Sequence, residues 1–161
     1  MSIIRRLNQG EAALYREVRL ASLRESPGAF ASRYEDAIAR SDRSWRDQAD
    51  ASAAGRDRAT FIILDGEPVG LAALYRDPHA REEGELIQMW VAPEKRGGPL
   101  AAELIGEIFR WAADNGYSRV RAEVMRDNPR ALRFYRKCGF TAPSDGTVHA
   151  GSSVILTRPV E

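Results

Sequence analysis

The chain has 161 residues, with 24 Lys and Arg against 23 Asp and Glu and a formal net charge of +1. That length allows one domain with a sizeable core, and the near-zero charge gives no general reason to expect a nucleic acid or an anionic membrane as partner. A lone cysteine, Cys138, excludes an internal disulfide; with no signal peptide and no apolar run near the roughly 20 residues that a membrane helix needs, the expected compartment is the cytoplasm.

Residues 2–7 (SIIRRL) read as a first strand. Asn8, with Glu11 three residues on, is a loose capping box for a helix carrying Ala12, Tyr15, Val18 and Leu23 and ending at Ser26-Pro27-Gly28. Residues 30–54 read as a second, more polar helical stretch with a sparse apolar stripe (Phe30, Tyr34, Ile38 and Trp45), suited to lie over a core or a cleft. Residues 60–64 (TFIIL) and 69–75 (VGLAALY) read as strands joined by an Asp65-Gly66 hairpin turn, and residues 77–84 as a polar connection.

The most informative stretch is 86–105, LIQMWVAPEKRGGPLAAELI. Leu86 to Val91 is a short apolar run with β-leaning residues, stopped by Pro93. Arg96-Gly97-Gly98 makes a turn of little bulk, Pro99 suits a first helical position, and Leu100, Leu104, Ile105, Ile108, Phe109 and Ala112 recur at helical spacing as far as Asn115-Gly116. Strand, glycine turn and helix start together form an anion cradle, because the first helical amides lack intrahelical partners and the helix dipole is positive there. Residues 119–125 alternate as a strand. Asn128-Pro129 opens another helix, Cys138-Gly139-Phe140 ends it and begins a strand, residues 144–152 form a Gly/Ser-rich loop, and residues 153–157 are a last strand.

Val91-Ala92-Pro93-Glu94-Lys95-Arg96-Gly97-Gly98-Pro99-Leu100-Ala101 resembles the acyl-CoA-binding motif of the GNAT N-acetyltransferase superfamily. That motif is V-x-P followed by R-G-x-G-x-G/A at a helix start. A second match follows in the expected order: Asn128, Ala131, Phe134, Tyr135, Gly139 and Phe140 fit N-x-x-A-x-x-F/L-Y-x-x-x-G-F. The resemblance extends over essentially the whole chain as one domain. It implies an α+β fold with a mixed central sheet of about seven strands flanked by about four helices, acetyl-CoA as co-substrate with no metal, and a homodimer. One departure stands out. Pro99 occupies a position that is usually Gly, and it has no N–H to donate to a pyrophosphate.

The activity implied is acetyl transfer to a primary amine of a small molecule or peptide. In the resemblance, the backbone around Met89 and Val91 polarises the thioester carbonyl and binds the pantetheine arm. Arg96, Gly97, Gly98, Leu100 and Ala101 hold the pyrophosphate, and Asn128 hydrogen-bonds the coenzyme. Tyr135 is the general acid for the departing thiolate, since a phenol stays protonated at neutral pH. Glu85, at the start of the central strand, and Glu123, on the next strand, are the candidate bases. Strict alternation would group Glu85, Ile87 and Met89 on one face and Leu86, Gln88 and Trp90 on the other, unless a bulge intervenes. Glu82, Glu83 and Glu85 hint at a cationic acceptor.

Cys138, at an apolar helix end with no histidine nearby in sequence, reads as a structural thiol, and His79 and His149 lack metal-ligand spacing. A GNAT-fold module that binds acyl-CoA with little or no catalysis stays open because of Pro99. A basic nucleic-acid-binding domain is disfavoured by the charge balance.

Overall fold

The computed structural model describes residues 1–30, 32–142 and 153–161. Strands β1 (Ile3–Arg6), β2 (Arg58–Asp65), β3 (Glu67–Asp77), β4 (Ala80–Val91), β5 (Arg119–Met125) and β6 (Ser153–Pro159) lie side by side in chain order in one sheet. All neighbours are antiparallel except β4 and β5. A parallel pair needs a long crossover, and helix α4 (Leu100–Asp114) supplies it. The other helices are α1 (Ala12–Glu25), α2 (Tyr34–Ile38), α3 (Asp42–Ala51) and α5 (Pro129–Lys137).

Each sheet face is closed by helices whose apolar residues recur at helical spacing. On one face, α1 and α3 bury Tyr15, Val18, Leu23, Trp45 and Ala49, with Tyr15 and Trp45 edge to face at 5.6 Å. On the other, α4 buries Leu104, Ile105, Ile108 and Ala112, and its Trp111 stands edge-on to Phe61 of β2 at 6.5 Å. Each such aliphatic side chain contributes roughly 1.5–3 kcal/mol of transfer free energy.

Three local expectations change. Residues 80–84 are strand rather than polar connection: Asp77 pairs with Ala80 across a tight turn, and β4 begins at once. The sequence AREEGE has little strand propensity of its own. Its carboxylates are set against arginines of β5, with Glu83 opposite Arg119 and Glu85 opposite Arg121, so tertiary pairing decides the conformation. The stretch 30–54 is broken into α2 and α3, because Ser41 turns extended (φ −69°, ψ 156°) and caps α3, its Oγ accepting from the Ser44 amide at 3.1 Å. The strand expected after Gly139 is reduced to one bridge between Thr141 and Thr157, which brings the described sheet to six strands. The Gly/Ser-rich loop at 144–152, with His149, lies outside the described residues.

Candidate active site

β4 carries an extra residue at its middle. Leu71 opposes Trp90 while Ala73 opposes Ile87, so Gln88 and Met89 share the place opposite Ala72. Gln88 absorbs the distortion with φ of 61°. A bulge shifts side-chain parity by one. Glu85, opposite Tyr75, and Ile87 face α1 and α3, as the Gln48 amide donating to the Tyr75 hydroxyl at 3.2 Å from α3 shows. Beyond the bulge Trp90 returns to that same face, and its Nε1 reaches Glu25 at the end of α1 at 2.9 Å. Strict alternation would have placed Trp90 on the opposite face, with Leu86. The bulge is pinned from above: the Tyr15 hydroxyl of α1 donates to Gln88 Oε1 at 3.0 Å.

Next to the bulge, the sheet opens. β4 and β5 pair only from Glu83 with Arg119 to Leu86 with Ala122. From Ile87 and Glu123 onward the two parallel strands part, leaving a gap between their carboxyl ends, where open α/β sheets bind ligands. Val91 leads from the gap into one 3₁₀ turn, Pro93–Lys95, and then the glycine turn. Gly97 has φ of +85° with nothing within 4 Å of where a Cβ would be, so the backbone is open to an approaching group. The first α4 amide to find an acceptor is that of Glu103, on Pro99 O at 3.0 Å. The amides of Gly97, Gly98, Leu100, Ala101 and Ala102 have no backbone acceptor among the described residues. Pro99, just before α4, has none to offer.

The basic side chains of the turn do not face this row as free charges. Arg96, expected from the sequence to add its charge to the cradle, donates through Nε to Val91 O at 2.8 Å and through Nη2 to Glu25 Oε1 at 2.6 Å. Lys95 pairs with Asp65 at 2.5 Å. Glu25 Oε1 thus accepts from Arg96, Trp90 and the Ser26 hydroxyl. Burial works to raise the Glu25 pKa, but these three donors outweigh it and hold the carboxyl below its ordinary range. Sequence reasoning missed Glu25. The signal available was an acid in the last turn of a helix, where the dipole disfavours negative charge and a partner is needed.

Tyr135 is buried on α5, at 5.3 Å from the Phe140 ring, which in turn meets Phe109 of α4 at 5.7 Å. Burial pushes its phenol well above the usual value, so it is protonated at any physiological pH. Asn128 caps α5, its Oδ1 accepting from the Ala131 amide at 3.1 Å. Cys138 is half-buried, its thiol raised by burial. Glu85 lies across the sheet from this cluster, 4.0 Å from Arg121, whose own stronger contact is to Asp77 at 2.8 Å. Glu123 accepts from the Ser153 hydroxyl at 2.7 Å and is thereby engaged within the sheet. Glu85 thus stands in the last paired stretch before the gap, on the face of α1 and α3, and Tyr135 packs through Phe140 with the α4 side.

A family model described as "Acetyltransferase (GNAT) family" matches residues 20–140. The chain belongs to that family. An uncharacterized N-acetyltransferase of Mycobacterium tuberculosis is 36% identical over 88 residues, 55% of either chain, so the match spans about half of that relative's length. Among solved structures, a GNAT acetyltransferase from Streptococcus pneumoniae superposes over all of both chains with a TM-score of 0.82 at 18% identity. An N-acetyltransferase from Thermoplasma acidophilum in complex with coenzyme A superposes over 99% of both with a TM-score of 0.76 at 20% identity. At such identities the likeness is one of fold: the GNAT sheet and helix order are those of this chain.

Proposed function

We propose that the protein transfers an acetyl group from acetyl-CoA to the primary amine of a small molecule or peptide, in the cytoplasm. The observation that carries this reading is the row of backbone amides at Gly97, Gly98, Leu100, Ala101 and Ala102, without backbone acceptors among the described residues, in the turn that follows β4 just past the point where it parts from β5. Such a row suits the pyrophosphate of a coenzyme whose thioester arm runs into the gap past Met89 and Val91. Family membership supports it, as does the coenzyme A bound to the Thermoplasma neighbour.

The acceptor ammonium gives a proton to Glu85, directly or through water. The freed amine forms a C–N bond at the thioester carbonyl carbon. As the C–S bond breaks, the coenzyme leaves as a thiolate and takes a proton from Tyr135, and the proton that the attacking nitrogen sheds in becoming an amide returns the Tyr135 phenolate to the phenol. Asn128 keeps its side-chain NH₂ for the coenzyme while its oxygen caps α5. A second reading, acyl-CoA binding without efficient catalysis, is favoured by Pro99 alone. Titration with acetyl-CoA by calorimetry, followed by thiol release in the presence of an amine panel, separates the two. Micromolar binding with amine-dependent thiol release is the expected result. Binding without release supports the second reading, and no binding overturns both.

A further inference from the structure

Arg19 is a positive charge placed inside the protein with no carboxylate partner among the described residues. It keeps only 5% of its surface exposed. Among the described residues its one side-chain polar contact is a long one, Nη1 to Ser22 Oγ at 3.4 Å, and its guanidinium carbon lies 4.8 Å from the Phe30 ring centroid. Arg5, Arg76, Arg81, Arg96, Arg119 and Arg121 each have a carboxylate within 4.0 Å, and Arg6 and Arg158, which have none among the described residues, donate instead to backbone carbonyls at 2.8–3.2 Å. The titratable groups acting on Arg19 are Tyr15, Arg40 and Tyr75, and none of them is a carboxylate. Arg40 is a second cation with no carboxylate among the described residues: it contacts Ser44 and lies 4.0 Å over the Trp45 ring. Aromatic faces return less than the desolvation of a buried guanidinium takes. Five N–H donors in a planar fork, mostly unused, are suited to a carboxylate supplied from outside.

The place is as telling as the charge. Arg19 stands one helical turn beyond Tyr15, which holds the β4 bulge at Gln88, and Tyr75 opposes Glu85 across the β3–β4 pair. Arg19 therefore lies on the same face as Glu85, beside the point where β4 and β5 part. We propose that Arg19, assisted by Arg40, is an anion subsite for the acceptor, and that the acceptor is an amine that also carries a carboxylate, as a free amino acid does. The amine then lies toward Glu85 and the gap, the carboxylate toward Arg19. This reverses the sequence hint of a cationic acceptor: Glu83 and Glu85 have Arg119 and Arg121 beside them, and Glu82 lies against the Ser118 hydroxyl.

The inference rests on the transferase reading, so its test is kept separate. Acetylation of amino acids is compared with that of the matching amino-acid amides and of polyamines, for the parent, Arg19→Lys and Arg19→Met. The parent should favour acids over amides by at least about tenfold in kcat/KM, as expected for a charge-assisted contact. Arg19→Met should lose that preference through KM, with coenzyme A affinity unchanged, and Arg19→Lys should keep part of it. Without any acceptor, Arg19→Met should melt about 2–4 °C above the parent, since a buried unpaired charge is gone. Amides or polyamines used as well as acids, a preference surviving in Arg19→Met, or a lower melting point for that variant would each overturn the subsite. A parent that binds acetyl-CoA and acetylates amides as well as acids removes this inference and leaves the transferase reading standing.

Discussion

Arg96 Nη2 lies 2.6 Å from Glu25 Oε1, joining residues 71 positions apart. The same carboxylate oxygen holds the Trp90 indole, and Arg96 Nε holds the Val91 carbonyl. The end of α1, the bulged end of β4 and the glycine turn are therefore one mechanical unit. In that unit Arg96 shapes the turn rather than presenting free charge to it, so the proposed coenzyme contact there falls to backbone amides.

Replacing Glu25 with Gln keeps the shape and removes the charge. All three donors remain, so the loss is that of charge assistance, about 1 kcal/mol, or about 2–4 °C in melting temperature at neutral pH. The effect should depend on pH. The folded carboxyl titrates below its unfolded value of about 4.3, so its stabilising contribution is complete above that value and is lost as pH falls through the folded pKa. Melting curves from about pH 3 to 7 should show parent and variant converging at the acid end. A difference that is constant across pH would mean that the charge is not what matters.

For Tyr135→Phe, kcat should fall by about 100-fold, the lower range for loss of a positioned proton donor, with little change in coenzyme affinity. The ring keeps its packing on Phe140, so the melting temperature should stay close to that of the parent. Because burial raises the phenol's pKa, the parent's rate should not fall through tyrosine ionisation below about pH 10. Unchanged turnover in the phenylalanine variant would remove the acid role.

Much of this was legible in the chain, and the misses have physical causes. α4 and α5 were readable because Pro99, Pro129, Asn128 and the i, i+4 spacing of Leu104, Ile108 and Ala112 are local signals that agree with the packing. Residues 80–84 were not, because their strand conformation comes from Arg119 and Arg121, some 36 residues away. The bulge at Gln88 was foreseen only as an exception to alternation, since what fixes it is Tyr15 on another element. Arg96 was readable as a motif residue but not as the partner of Glu25, because ion pairing across the fold leaves no trace in spacing. Arg19 carries no local signal, because its burial is set by the packing of α1 on the sheet.

Gly84 tests how tightly the paired part of the β4–β5 junction is packed. A Cβ there would come within 2.8 Å of Tyr117 Cε2 and 2.9 Å of Leu74 Cδ1. The Tyr117 ring is held by its hydroxyl on Arg56 O at 2.8 Å and lies under the Arg76 guanidinium at 4.0 Å, so it cannot retreat freely. Gly84→Ala should destabilise by about 1–3 kcal/mol in denaturant unfolding. Gly106→Ala, in α4 with nothing within 4 Å, should instead stabilise by roughly 0.5–1 kcal/mol. Equal effects from the two would mean that the Tyr117 contact yields more easily than its restraints suggest.

Pro99 separates the geometry of the cradle from its chemistry. Its αR conformation (φ −82°, ψ −10°) starts α4 correctly, and its carbonyl accepts from the Glu103 amide, yet it interrupts the row of amides that faces the expected pyrophosphate. Pro99→Ala and Pro99→Gly both restore an N–H, while only Gly adds backbone freedom. If the position contributes to the cradle, both should lower the Kd for coenzyme A about tenfold, the value of one hydrogen bond to a charged group. Both should also lose stability, roughly 0.4–1 kcal/mol, because the unfolded chain is less restricted, with Gly losing more than Ala. Tighter binding in Gly alone would point to turn flexibility rather than the missing donor. Unchanged binding in both would mean that the phosphates are held by Gly97, Gly98 and the amides from Leu100 onward, and that proline costs this site nothing. A parent that fails to bind while both variants bind would mean that Pro99 has disabled the cradle, and both coenzyme-binding readings would fall for the parent.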